Sequence, residues 1–268
     1  MPAGAEQLSR ISVKKLPQIT ALFWVLKIAA TTLGETGGDE VAQTLHVGYL
    51  ASFFLFIGIF LVAATAQLRA RKLHPPLYWT VIIATSTAGT TLSDFLDRSA
   101  GLGYFKGSLL IFSGLLLTFL VWSLSGETFA VEKIKTLRGE TFYWTAILFS
   151  NTLGTAFGDY LSDSSGLHYW GSAVLIASVM VAVLLAHRYT RVSRTVLFWT
   201  AFVLTRPLGA TAGDLLWKPH TMGGLGLGTA NVSYGLLTLI GALTVYSVWR
   251  QRQDEAQPAW ATVTTRAQ

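Results

Sequence analysis

Apolar runs recur along the chain, separated by short polar segments, and each is close to the length that crosses a bilayer as a helix. A spanning helix takes about 20 mostly apolar residues. The runs fall at 19–38, 47–66, 77–93, 104–124, 142–158, 169–186, 196–213 and 232–248. They predict eight helices and an all-α integral membrane protein. The first run is too long for a signal-peptide core and has no clear cleavage site, so it reads as the first span. Two kinds of run alternate. The odd-numbered ones carry tryptophan and a polar stripe, whereas the even-numbered ones are plainly apolar, as in Val47, Gly48, Tyr49, Leu50 and Ala51.

The polar positions of the odd runs repeat. Each contains a small residue, three further residues, a second small residue and an aspartate: Gly34, Gly38 and Asp39; Gly89, Ser93 and Asp94; Gly154, Gly158 and Asp159; Gly209, Gly213 and Asp214. Trp24, Trp79, Trp144 and Trp199 each precede their aspartate by fifteen residues, and each follows another aromatic residue. Four matches at one spacing make an internal repeat. The repeats occupy 18–72, 73–137, 138–193 and 194–249, with a polar segment at 1–17 before them and a polar tail at 250–268, expected to be disordered, after them. Tryptophan offsets of 55, 65 and 55 residues suggest that a two-repeat unit was duplicated. Two spans per repeat is an even number, so the four helix hairpins should run parallel across the membrane.

Composition agrees with a bilayer setting. Of 268 residues, 51% are hydrophobic and 13% charged, against about 25% charged in soluble domains. The net charge of +6 does not point to nucleic acid, because the bases lie in short clusters between apolar runs. Cysteine is absent, which removes disulfides, thiolate ligands and thiol nucleophiles. One set of loops holds Arg10, Lys14, Lys15, Arg69, Arg71, Lys72, Lys133, Lys135, Arg138, Arg188, Arg191, Arg194, Arg250 and Arg252, while the other holds only Arg98, Lys106 and Lys218. This asymmetry predicts cytoplasmic termini. Each tryptophan then marks the inner interface, and the aspartates lie about 22 Å further out along the helix.

Counted from each tryptophan, positions 8, 11, 12 and 15 share one helical face. They read Thr32, Glu35, Thr36 and Asp39; Thr87, Thr90, Thr91 and Asp94; Thr152, Thr155, Ala156 and Asp159; Pro207, Ala210, Thr211 and Asp214. This is a stripe of oxygen ligands ending in a carboxylate. The small-residue stripe beside it lets helices approach closely. A plainer reading makes the glycines packing residues and the aspartates caps, but a cap at four sites could equally be serine or asparagine. Lys27 and Arg206 break the symmetry, Arg206 standing where the other repeats have Thr31, Ser86 and Asn151. Ionisable residues in spans face the bundle interior and are functional candidates, although Arg206 could simply pair with Glu35. Five acids against two bases favour a cation. His46, His168 and His220 follow their aspartates on the outer side and could ligate a metal or relay protons, or be ordinary loop residues. Asp97 and Asp163 add acid at the outer mouth. The glycines from Gly223 to Gly228 lack a phosphate-loop lysine and read as a flexible loop. No Ser-His-Asp or His-Glu-x-x-His constellation is present, so an enzyme is not expected.

At Gly34, Gly38 and Asp39, and again at the third and fourth repeats, the chain resembles a bacterial family of membrane-anchored proteins built from a repeat of unknown function. The resemblance covers 19–249, departs at Ser93, and implies a bacterial inner-membrane location. It brings no chemistry with it.

The residues therefore predict inner helices that carry the polar stripe and outer helices that shield it. The expected function is transport of a small cation, a divalent metal, proton-coupled, or both. Asp39, Asp94, Asp159, Asp214, Glu35, Thr32, Thr87 and Thr152 would be the ligands, Lys27 and Arg206 the modulators, and Gly34, Gly38, Gly154, Gly158, Gly209 and Gly213 the packing residues. A bound divalent cation is the one cofactor these groups suggest, and magnesium, calcium or manganese suits hard oxygen ligands. The bilayer and the cation are the partners expected, nucleic acid is not, and the sequence leaves the oligomeric state open. The alternative is a non-transporting sensor or partner-binding scaffold, which would lack a continuous polar path between the aspartates and the cytoplasm.

Overall fold

The computed structural model describes residues 16–256. Arg10, Lys14 and Lys15, and the part of the tail beyond Ala256, lie outside the described residues. The described residues form eight α-helices: α1 (Ala21–Asp39), α2 (Tyr49–Arg69), α3 (Pro75–Asp94), α4 (Gly103–Leu124), α5 (Leu137–Asp159), α6 (His168–Tyr189), α7 (Arg194–Trp217) and α8 (Thr229–Ala256). Each expected run is a helix, but α5, α7 and α8 are longer than their apolar stretches. The beginning of the tail at 250–256 is helical, continuing α8.

Local chemistry starts and stops these helices. Thr20 Oγ1 accepts the Phe23 amide at 3.3 Å, and Thr136 Oγ1 accepts the Gly139 amide at 2.9 Å. These caps satisfy amides that have no partner within the helix. Pro75 opens α3, where its missing amide costs nothing. At the other end, α1, α3 and α5 stop at their aspartates and widen into single π-turns: Glu40–Thr44, Phe95–Ser99 and Tyr160–Ser164. The i→i−5 bonds are explicit, from Leu45 N to Glu40 O at 2.8 Å and from Ala100 N to Phe95 O at 2.7 Å. Such turns are rare and concentrate at functional sites.

The helices form two concentric layers. Odd-numbered helices make a closed inner ring, in which α1 packs on α3, α3 on α5, α5 on α7, and α7 back on α1. Even-numbered helices sheathe it, turning Phe54, Leu61, Leu117, Leu124, Leu184 and Val245 outward. Among the described residues, only α2, α4, α6 and α8 are long and apolar enough to cross a membrane by composition. The inner helices miss that standard because of their polar faces, which protein covers.

One expectation about the repeats is corrected. They are not self-contained hairpins: α2 lies along α3, α4 along α5, α6 along α7, and α8 along α1. Each outer helix thus covers the inner helix of the next repeat, and the last covers the first.

The glycines explain how closely the inner ring closes. A Cβ on Gly34 would collide with the Ser86 side chain, and one on Gly154 with Arg206. On Gly89 it would stand 2.9 Å from the Thr152 amide nitrogen, and on Gly209 it would stand 2.7 Å from Thr31 Cβ. The second small residue repeats the arrangement a turn later, with Gly38 against Thr90, Gly158 against Ala210 and Gly213 against Glu35. Every inner interface therefore uses the same small positions, and the contact from α7 to α1 is no exception.

The tryptophans also differ from expectation. Trp79, Trp144 and Trp199 are buried, and Trp24 is half-buried. They join a closed aromatic girdle in which the ring before each tryptophan meets the next repeat's tryptophan. Centroid distances are 5.8 Å for Phe23–Trp79, 5.6 Å for Tyr78–Trp144, 6.0 Å for Tyr143–Trp199 and 5.8 Å for Phe198–Trp24. Within it the Tyr78 and Tyr143 hydroxyls lie 2.7 Å apart. A tryptophan anchored at a lipid interface would leave its ring outward, whereas here the rings seal one end of the bundle.

Candidate cation site

Above the girdle, the inner ring encloses a column of buried polar groups arranged in tiers. Lys27 is deepest. Its ammonium lies 4.1 Å from the Phe202 ring centroid and 3.5 Å from Asn151 Oδ1. One turn further, Arg206 reaches from α7 across the bundle. Its Nη2 donates to Glu35 Oε2 at 2.9 Å, to Thr155 Oγ1 at 2.6 Å and to Thr90 Oγ1, and its Nη1 to Thr31 O at 3.4 Å. Thus position 11 of three repeats converges on one guanidinium. The Arg206–Glu35 ion pair is fully buried. Such a pair holds its register firmly, since breaking it strands a charge.

The last tier holds the aspartates, one at the end of each of α1, α3 and α5 and one near the end of α7, all buried. A carboxylate caps a helix by accepting amides at the N-terminus. These four stand at the opposite end, where orphan carbonyls and the helix dipole repel negative charge. The groups four residues later answer them in part. Asp39 Oδ1 accepts from Gln43 Nε2 at 2.5 Å. Asp94 Oδ1 lies 3.1 Å from Arg98 Nε, and Asp214 Oδ2 lies 2.7 Å from Lys218 Nζ. In the third repeat this position is Asp163, which cannot neutralise Asp159; Arg98 of the second repeat does so instead, at 3.2 Å.

Arg98 and Lys218 were missed by sequence reasoning, which counted them as loop bases. Their spacing of four residues from an aspartate was the available signal. Burial alone would lower both cations. The neighbouring carboxylates outweigh it: Asp94 and Asp159 raise Arg98, while Asp214 and Asp159 raise Lys218 well above the usual lysine value. The column therefore holds five acids (Glu35, Asp39, Asp94, Asp159, Asp214) and four bases (Lys27, Arg98, Arg206, Lys218), a narrower excess than five against two.

That excess is localised. Glu35, Asp39 and Asp214 each offer a carboxylate oxygen, and these oxygens lie within 4.8 Å of one another. Among the described residues, Asp39 has no cation within 4 Å.

Other candidates lie apart from this corner. Thr32, Thr87 and Thr152 each donate their hydroxyl to a carbonyl of their own helix at 2.9 Å, so those protons are committed locally. Thr36 meets Ser233 of α8 at 2.9 Å. His46, His168 and His220 are exposed and lie apart, His46 in the loop after α1, His168 at the start of α6 and His220 in a short 3-10 turn after α7. Asp163 is exposed and accepts from Tyr104 and Tyr169. Asp97, expected at the solvated mouth, is buried: a Cβ on Gly107 of α4 would collide with its carboxylate, and Ser93 Oγ donates to it at 3.2 Å. Burial raises Asp97, with Ser93 and then Arg98 opposing. This explains the departure at Ser93, whose hydroxyl serves a carboxylate that sits at the packing surface.

The sequence profile described as Repeat of Unknown Function (DUF347) matches four stretches, 22–72, 77–128, 142–193 and 197–253. No curated protein and no solved structure matches the chain.

Proposed function

The chain belongs to the family built from the DUF347 repeat of unknown function, and from that premise we propose that it is a multi-pass transporter of a small cation. In this reading all eight helices cross a bacterial inner membrane, with both termini in the cytoplasm. The four sheath helices have the length and apolarity to cross. The inner helices are of similar length, so they would cross inside the sheath. The base-rich loops would face the cytoplasm, which puts the girdle on the inner side and the aspartates on the outer.

The observation that carries the proposal is the carboxylate corner. Three buried carboxylates with oxygens inside 4.8 Å repel one another unless a cation or protons join them. Asp39, without a cation of its own, would be the primary ligand, and Glu35 and Asp214 would be shared with Arg206 and Lys218. A hard divalent ion suits this oxygen set, and protons released as it binds would couple it to the proton gradient. The test is uptake by proteoliposomes offered magnesium, calcium or manganese under an imposed pH gradient. Wild type should accumulate one of them, and Asp39→Asn should abolish accumulation. Wild-type vesicles that match empty ones for every ion would remove the proposal.

One observation favours the scaffold reading. The polar column ends at Lys27, which shares its tier with the apolar Ile82, Ile147 and Phe202, and the girdle closes the base-rich end beyond it. A transporter must open that end during its cycle, whereas a scaffold keeps it shut.

A further inference from the structure

We infer that Arg98 is a displaceable plug, a tethered cation that occupies the Asp94–Asp159 half of the aspartate tier and competes with the transported ion for it. This rests on the cation reading and adds a residue that controls access.

Four observations lead to it. First, among the described residues Arg98 is the one side chain bridging the aspartates of two repeats, with Nε 3.1 Å from Asp94 Oδ1 and Nη2 3.2 Å from Asp159 Oδ2. Second, its side chain is 31% exposed while both carboxylates are 2% exposed. It is therefore the part of this cluster that reaches solvent, while the carboxylates it contacts do not. Third, its grip is incomplete. Asp94 Oδ1 is buried and receives no hydrogen bond, although Nε stands 3.1 Å away. The Tyr49 hydroxyl meets Nη1 only at 3.5 Å, and the Tyr104 ring lies 5.9 Å from the guanidinium carbon. Fourth, Arg98 rides on the π-turn Phe95–Ser99, followed by Gly101 and Gly103 at φ 73° and 70°. Neither glycine has anything near its Cβ position, so the stretch after Arg98 is loosely packed, although Asp97 beside it is held against α4.

The other repeats give the contrast. Lys218 serves one aspartate, is itself buried, and points its ammonium towards the Tyr169 ring at 4.8 Å. That is a fixed brace. Arg98 serves two carboxylates from an exposed position, and Asp159 has no cation in its own repeat. When Arg98 leaves, two buried carboxylates lose their compensation together. A buried unpaired charge is costly, so an incoming cation is drawn to the vacated place.

The test is the thermal stability of the purified full chain in detergent, titrated with Mn2+ or with methylguanidinium. Wild type, Arg98→Ala and Arg98→Lys are compared. A plug predicts that Arg98→Ala needs about tenfold less Mn2+ than wild type for the half-maximal shift. Arg98→Lys, which retains charge but not the fork, should fall between them. If wild type and Arg98→Ala respond to Mn2+ alike, the plug is refuted and the cation site stands. If methylguanidinium rescues Arg98→Ala while Mn2+ shifts no variant, Arg98 is a brace and the cation reading falls with it. Should Arg98→Ala fail to fold, Arg98→Lys decides: an unchanged Mn2+ requirement overturns the plug, and a lowered one supports it.

Discussion

At the scale of single residues, what the column demands is paired charge and absent side chains. Gly89 shows the second demand. An added Cβ would stand 2.9 Å from the Thr152 amide nitrogen, which belongs to helical backbone and cannot yield. Gly89→Ala should therefore cost about 1–3 kcal/mol as overpacking. Gly58→Ala, in the open on α2, should be neutral or stabilising by up to about 1 kcal/mol through helix propensity. Unfolding in detergent measures both, and equal effects would contradict the close approach. Asp97 shows the first demand. Its carboxyl is raised by burial in the fold, so its protonated form is the one the fold prefers. That preference supports the fold fully below the unfolded value of about 3.9 and is lost as pH rises through the higher folded value. As pH rises above about 4, wild type should lose melting temperature relative to Asp97→Asn, because burial raises the folded carboxyl. A constant difference as pH rises would refute the assignment. The oxygen stripe was legible in the sequence because a period of 3.6 places its members on one face. The role of Asp97 was not, since nothing local reveals that Gly107 of another helix closes over it.

At the scale of elements, helix identity was legible and helix partnership was not. Apolar length marked all eight helices, and the polar stripe sorted inner from outer. Which outer helix covers which inner one depends on tertiary packing, and the natural guess of a local hairpin was wrong. The π-turns escaped too, because the sequences after Asp39, Asp94 and Asp159 share no strong turn residue. The covering of α1 by α8 gives a direct test. Thr36 of α1 and Ser233 of α8 have hydroxyls 2.9 Å apart. The protein contains no cysteine, so Thr36→Cys with Ser233→Cys introduces one possible disulfide. It should form under mild oxidation and show as a mobility shift on denaturing gels. Failure to form it in folded protein would refute the placement of α8 against α1.

At the scale of the whole molecule, the apolar sheath and the polar column are two consequences of one constraint: charge inside a bilayer must face protein. The proposed orientation rests on the base-rich loops, and in that proposal reporter fusions after Lys72 and after Arg194 should both report the cytoplasm. A periplasmic signal from either would invert or dismantle the eight-span arrangement. The girdle has a further use as an optical gauge. Four ring pairs at 5.6 to 6.0 Å, held in one fixed chiral order, should give a strong near-ultraviolet circular dichroism band, a signal that depends on rigid tertiary packing. The protein thus carries an intrinsic chromophore at the end that a transporter would have to unseal. Under turnover with its ion, a transporter should dim that band reversibly, whereas a scaffold would leave it unchanged.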